Sequence, residues 1–312
     1  MTPGAGSVQE MRPARFGAVI TAMVTPFGPD GSLDVDAAVE LARWLTGHGS
    51  DGLVLGGTTG EGPVLSDDEL RELWRNVSAA VTVPVLAGTG TNDTRHSIEL
   101  TKLAGECGVD GVLVVTPYYS RPSQDGLFAH FSAVAAATEL PVVLYDIPAR
   151  TGRRIAQPTV LRLAHEVRNV VGVKDATGDP AGAARLVVHA PSSFEVYSGD
   201  DSLTLALVAV GAVGVISVCA HWAGPEMHRM VDAARNGDLE TARSENARLV
   251  ESYDFESTEQ FPNPLPAKAA CRALGLRVGQ CRLPLGEAPP ELEGETLRIL
   301  TRLGAAPLSA AS

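Results

Sequence analysis

Lysine is scarce in this chain. Of 25 basic residues, only Lys102, Lys174 and Lys268 are lysines. Aromatic residues make up 5%, and the four cysteines, Cys107, Cys219, Cys271 and Cys281, contain no C-x-x-C pair. Such spacing is neither a zinc pattern nor a dense disulfide framework, and it fits a reducing, cytoplasmic setting. Positive charge is also in deficit: the formal net charge is −12 and the pI about 5.0. A nucleic-acid partner is therefore not expected, because phosphate contacts need clustered Lys and Arg. The seven histidines show no H-x-x-x-H or H-E-x-x-H grouping, so neither a metal nor any other cofactor is called for. Met1 to Arg15 has no apolar h-region; it reads as an arm ahead of the fold, not a secretory signal.

One window, Ser202 to Pro225, lacks Asp, Glu, Lys and Arg entirely, and it exceeds the roughly 20 residues of a spanning helix. Gly211 and Gly214 interrupt it, Val213, Val215, Ile216 and Val218 make its second half β-branched, and acids flank it (Asp200, Asp201, Glu226). Acidic flanks oppose the positive-inside pattern. A buried helix, a turn and a buried strand are expected, with no membrane span.

What the chain does have is alternation. Eight short apolar runs occur at Ala18–Val24, Gly52–Leu55, Pro84–Ala87, Gly111–Val115, Pro141–Tyr145, Val170–Val173, Phe194–Tyr197 and Val213–Val218. Runs apolar at nearly every position indicate parallel strands covered on both faces. Helical patterns lie between them. Asp34 is a candidate N-cap before Val35, Ala38, Val39, Ala42 and Leu45, and Ser66 with Glu69 forms a capping-box signature. Strand–helix units repeated eight times predict an α/β fold, a (β/α)8 barrel over residues 16–237. No dinucleotide fingerprint follows the first strand, which disfavours a doubly wound sheet. From about Asp238 three helical patterns follow without strands, at Leu239–Tyr253, Pro266–Leu274 and Leu292–Leu303. Residues 238–312 therefore read as a helical extension packed on the barrel.

Catalytic groups on such a barrel come from the C-terminal ends of its strands. Lys174 ends the run Val170-Val171-Gly172-Val173. Lysine is almost never fully buried without a partner or a task. In a desolvated pocket its amine loses basicity and attacks carbonyls to form a Schiff base. A salt bridge to Asp175, or a strand-end lysine reaching water, explains the position equally well. Lys102 and Lys268 read as ordinary surface or packing residues. Gly56 to Gly62 lacks the G-K-[ST] ending of a phosphate loop and suits a carboxylate better, through backbone N–H and hydroxyl donors. Three of the five tyrosines, Tyr118, Tyr119 and Tyr145, fall on the same rim, where a proton relay or simple packing would use them. Arg150 could grip a carboxylate with its two-pronged guanidinium.

These residues resemble the dihydrodipicolinate synthases, pyruvate-dependent class I aldolases related to the N-acetylneuraminate lyases. The resemblance rests on G-T-T-G-E at 57–61, V-T-P-Y-Y at 115–119, L-Y-D-I-P-A-R-T-G at 144–152, V-G-V-K-D-A-T-G at 171–178, S-G-D-D at 198–201 and G-V-I-S-V at 214–218. It runs in order from about Gly17 to Leu285. It implies that Lys174 forms an imine with pyruvate while Tyr145 moves protons through Thr58 to Tyr119, the last supplied by a neighbouring subunit of a dimer or tetramer. Thr59 would hold the pyruvate carboxylate, Arg150 the carboxylate of L-aspartate 4-semialdehyde, and the backbones of Gly199 and Ile216 would line the pocket. The implied product is 4-hydroxy-tetrahydrodipicolinate, a lyase reaction of diaminopimelate and lysine biosynthesis. Alternatives are a pyruvate-releasing aldolase acting on a 2-oxo sugar acid or 4-hydroxy-2-oxoglutarate, or a non-catalytic ligand-binding barrel. Thr58-Thr59, where neuraminate lyases typically have Ser-Thr, and Arg150 favour the synthase. One departure stands out. Lysine-inhibited members carry a Ser after G-T-T-G-E, histidines in the next helix and a Glu in the one after strand three; here Gly62, Asp67, Leu70 and His96 occupy those places, with Asn92 and Tyr118 retained. Weak or absent inhibition by lysine is expected.

Overall fold

The computed structural model describes residues 13–305. Eight parallel strands follow one another in chain order: β1 Val19–Ala22, β2 Gly52–Leu55, β3 Val85–Gly88, β4 Gly111–Val115, β5 Val142–Asp146, β6 Val170–Asp175, β7 Glu195–Ser198 and β8 Gly214–Ser217. β8 pairs back onto β1 and closes the barrel. This is the (β/α)8 architecture that the alternating pattern predicts.

The strands are apolar throughout because both faces are covered. Along β2, Leu53 and Leu55 pack outward against the helices, while Val54 joins an inner layer with Ile20, Leu86, Leu113, Val143 and Ile216. Side chains alternate with period two, so the same rule decides which residues of β5 and β6 enter the barrel. The helices start where the sequence signals them. Asp34 accepts from the Ala37 N–H at 2.9 Å. Ser66 and Glu69 form the reciprocal capping box of the Asp67–Ala80 helix, at 2.9 and 3.2 Å.

The charge-free window divides between the Thr204–Ala209 helix, β8 and the start of the Ala220–Arg235 helix. No helix among the described residues is long and apolar enough to cross a membrane. Of the N-terminal segment, residues 1–12 lie outside the described residues. The Arg15 N–H donates to Glu195 Oε1 at 2.8 Å, at the N-terminal end of β7.

Helices Leu239–Phe255, Leu265–Ala273 and Pro290–Leu303 follow the barrel. They reach back to its C-terminal mouth. Arg282 donates to the Val64 carbonyl at 2.8 Å and pairs with Glu69 at 2.5 Å. That guanidinium holds the Glu69 carboxyl at about 2, below its ordinary value. Lys268, read from sequence as a surface or packing lysine, is wholly buried and ion-paired to Glu61 at 2.7 Å. A buried charge needs such a partner.

Candidate active site

β5 and β6 set the centre. Leu144 and Val173 face the helices, so their successors, Tyr145 and Lys174, turn into the barrel. The register puts Tyr145 directly opposite Lys174, and the Lys174 Nζ lies 4.4 Å from the centre of the Tyr145 ring. Lys174 is 5% exposed. Burial lowers its pKa to about 8, against an opposing pull from Asp201 and Glu256. Arg150 acts on it in the same sense as burial. Asp175, the partner suggested by sequence adjacency, instead accepts from the Thr177 N–H at 2.9 Å.

The Lys174 stem fits because residue 199 has no side chain. A Cβ on Gly199 would lie 2.9 Å from both Lys174 Cγ and Ala176 Cβ, closer than carbon atoms pack. Ile216 belongs to the inner layer that also contains Tyr145.

A cavity of about 450 Å³ opens beside Tyr145, the residue opposite Lys174, and its walls include Thr58, Tyr118 and Arg150. Burial pushes the Tyr145 phenol up to about 12, opposed by the Arg150 charge and a hydrogen bond with Thr58. At neutral pH the phenol is therefore a proton carrier, paired with a second hydroxyl. Arg150 is exposed at the rim. Tyr119 is not brought to this group: it is 91% exposed, with a left-handed φ of 70°.

The loop from Gly56 to Gly62 is tightly folded. A Cβ on Gly62 would meet the Gly56 carbonyl oxygen at 2.2 Å, and Thr25 Oγ1 donates to the Gly60 carbonyl at 2.6 Å. Glu61, at φ 55°, anchors the loop through Lys268 and accepts from the Arg282 N–H at 2.9 Å. Lys268 also donates to the Gln280 carbonyl at 2.9 Å and lies 4.2 Å from the centre of the Phe27 ring. Asn263 Nδ2 donates to Thr59 Oγ1 at 2.9 Å, both side chains being buried.

Behind Lys174, ligand atoms of Asp201, Cys219 and Glu256 lie within 4.8 Å of one another. Asp201 Oδ2 accepts from the Val218 and Cys219 N–H groups at 2.7 and 2.9 Å. Burial pushes the Glu256 carboxyl and the Cys219 thiol well above their ordinary values. Metal binding requires deprotonated ligands, which burial disfavours at Glu256 and Cys219.

Asp201, Glu256, Asn263 and Lys268 are the site residues that sequence reasoning did not single out. The N-P-L-P-A-K segment at 263–268, with a third of the chain's lysines, was the available signal. Nothing local marks Glu256, which follows the Leu239–Phe255 helix.

Comparison with known proteins agrees with this geometry. Residues 15–303 match the model of the dihydrodipicolinate synthetase family. The chain is 50% identical over 292 residues to the 4-hydroxy-tetrahydrodipicolinate synthase of Moorella thermoacetica, covering 93% of this chain and 99% of that one. The crystal structure of a dihydrodipicolinate synthase from Bacillus anthracis superposes with a TM-score of 0.88 at 43% identity, covering 92% and 98% of the two chains. That of the Cyanidioschyzon merolae enzyme with lysine bound gives 0.89 at 41%, covering 93% and 98%. With its barrel, its buried lysine and a match spanning nearly the whole chain, the protein belongs to the dihydrodipicolinate synthetase family.

Proposed function

We propose that this chain condenses pyruvate with L-aspartate 4-semialdehyde to give 4-hydroxy-tetrahydrodipicolinate, through a Schiff base on Lys174. The observation that carries the reading is the buried Lys174 amine, its pKa lowered to about 8, against the ring of a tyrosine that also meets Thr58. The names of the relatives give the same product.

The chemistry follows from the groups present. The neutral Lys174 amine attacks the ketone carbon of pyruvate, and loss of water leaves an iminium, an electron sink. Removal of a methyl proton gives the enamine, whose terminal carbon attacks the aldehyde of the second substrate. Tyr145, protonated and hydrogen-bonded with Thr58, supplies and recovers protons for these steps. Attack of the semialdehyde's amine on the iminium carbon closes the ring and releases Lys174. Thr59 and neighbouring N–H groups hold the pyruvate carboxylate, Arg150 at the rim takes that of the semialdehyde, and Gly199 and Ile216 shape the pocket.

The reading extends to assembly and compartment. A homo-oligomer, dimer or tetramer, would use the exposed Tyr119 to complete the relay of a neighbouring subunit, and the four free, buried thiols suit a cytoplasmic setting. Arg150 in the cavity wall favours a small carboxylate-bearing aldehyde over a polyhydroxylated sugar acid. The test is borohydride reduction in the presence of pyruvate, followed by peptide mass spectrometry and a semialdehyde condensation assay on wild type and Lys174→Ala. An adduct on Lys174, and a loss of several orders of magnitude in the variant, are expected. An unmodified Lys174 peptide would end the proposal.

A further inference from the structure

We infer that Asn263, from the helical extension, is a positioning residue for the keto acid: its amide sets the Thr59 hydroxyl to donate to the substrate carboxylate. This rests on the reading of Thr59 as a carboxylate ligand.

A threonine hydroxyl has one proton and two lone pairs. In the site, the one hydrogen bond of the Thr59 side chain among the described residues is with Asn263, and the hydroxyl receives it: Nδ2 donates to Oγ1 at 2.9 Å. The Thr59 proton is left free to point elsewhere. A carboxylate only accepts, so a hydroxyl already receiving an N–H is prepared to give its proton to one. A reversed amide, or a carboxylate at 263, would take that proton and turn an acceptor lone pair towards the anion.

The pair is well insulated. Thr59 is 3% and Asn263 6% exposed, so water does not easily replace the amide. Asn263 Oδ1 is buried without a protein partner, which leaves the Thr59 contact as the side chain's hydrogen bond to protein. The segment is fixed on both sides: the Asn263 N–H donates to Ser257 Oγ at 3.3 Å, and Lys268 five residues on is locked to Glu61 of the same loop. The extension thus reaches the carboxylate loop at two buried points, and it is the Asn263 contact that selects a donor.

Asn263→Asp changes the donor to an acceptor with little change in shape, and Asn263→Ala removes it. Wild type and both variants are titrated with pyruvate by borohydride trapping of Lys174, and with hydroxyacetone, a ketone without a carboxylate. Steady-state kcat and KM for both condensation substrates are measured in parallel. A charge-assisted hydrogen bond contributes about ten- to a hundredfold in affinity. Asn263→Asp is expected to weaken pyruvate capture by that factor, with kcat at saturation and the KM of the aldehyde little changed and hydroxyacetone capture preserved; Asn263→Ala falls between. Equal loss for both ketones in both variants, or unchanged pyruvate capture in either, would overturn the inference. Failure of the wild type to trap pyruvate would instead refute the functional reading beneath it. If Asn263→Asp does not fold, the pyruvate-to-hydroxyacetone ratio of Asn263→Ala still decides.

Discussion

Gly199 and Lys174 are in van der Waals contact across the C-terminal ends of β7 and β6: a methyl group at 199 would stand 2.9 Å from Lys174 Cγ and 3.1 Å from Cε. The same methyl would stand 2.9 Å from Ala176 Cβ, so it cannot turn clear and the lysine stem has to give way. Gly199→Ala is therefore expected to fold, because one methyl in a packed interior costs about 1–3 kcal/mol. Its kcat/KM should fall by about a hundredfold, the effect of roughly an ångström of misplacement at a reacting centre. Circular dichroism and steady-state kinetics check the two halves separately.

The pH dependence of imine formation follows from the surroundings of Lys174. Only the neutral amine attacks a carbonyl, and burial has brought its pKa to about 8. The kcat/KM for pyruvate should accordingly rise about tenfold per pH unit and level off near that value. Asp201 opposes the burial effect by favouring the ammonium. Asp201→Asn is thus expected to shift the rising limb to lower pH. Glu256 favours the ammonium in the same sense, and Glu256→Gln should move the limb in the same direction. A limb moved to higher pH by Asp201→Asn would contradict this electrostatic picture.

The barrel was legible because its cause is local. Runs such as Val142-Val143-Leu144 and Val112-Leu113-Val114 must be buried on both faces, and few architectures other than eight strand–helix units provide that. Lys174 and Tyr145 stood out for the same reason, as polar residues ending a doubly buried run, but position alone left a salt bridge or simple packing open, and their roles came from the resemblance. The contacts from the extension were not legible. Asn263 meets Thr59 across 204 positions, and Arg282 meets Glu69 across 213, so no periodicity or spacing joins them. Lys268 illustrates the limit. Its helix is Ala-rich and follows Pro264 and Pro266, a pattern that reads as ordinary surface or packing until Glu61, far away in sequence, pairs with it.

Asp146 carries a separate pH effect, on stability. Burial, with Asp175 adding to it, pushes the carboxyl up to about 7, while the Ile155 N–H and Arg154 act the other way. Between the ordinary value of 3.8 and about 7 the folded protein keeps this proton and the unfolded chain loses it. The folded state's advantage at this residue therefore declines as pH rises through that window, and stays constant above it. Asp146→Asn keeps an acceptor for Ile155 without the charge. It is expected to be more stable than wild type at pH 8, by on the order of 2–4 kcal/mol, with the difference vanishing near pH 4. Urea denaturation at pH 4.5, 6 and 8 would expose the trend; a gain that grows towards acid would have the wrong sign.

Lysine sensitivity is the property on which this chain should part from inhibited relatives. The wall of the cavity that contains Thr58 and Tyr145 also holds Gly62, Asp67, Leu70, Asn92, His96 and Tyr118. His96 Nε2 lies 3.0 Å from Asp67 Oδ1, so these two polar side chains already satisfy each other and leave Asn92 and Tyr118 to an incoming amino acid. Leu70 offers only apolar surface beside them. An incoming lysine would have to break the pair and shed water for a wall with few free polar partners, and unpaired polar groups oppose binding strongly. Millimolar L-lysine is expected to leave the condensation rate essentially unchanged. Installing the missing groups together, Gly62→Ser, Leu70→His and His96→Glu, supplies a hydroxyl, a ring donor and an anion for the ligand's ammonium, and should create measurable inhibition. Strong inhibition of the unaltered protein would mean that the His96–Asp67 pair opens readily, and isothermal titration with lysine would detect it directly.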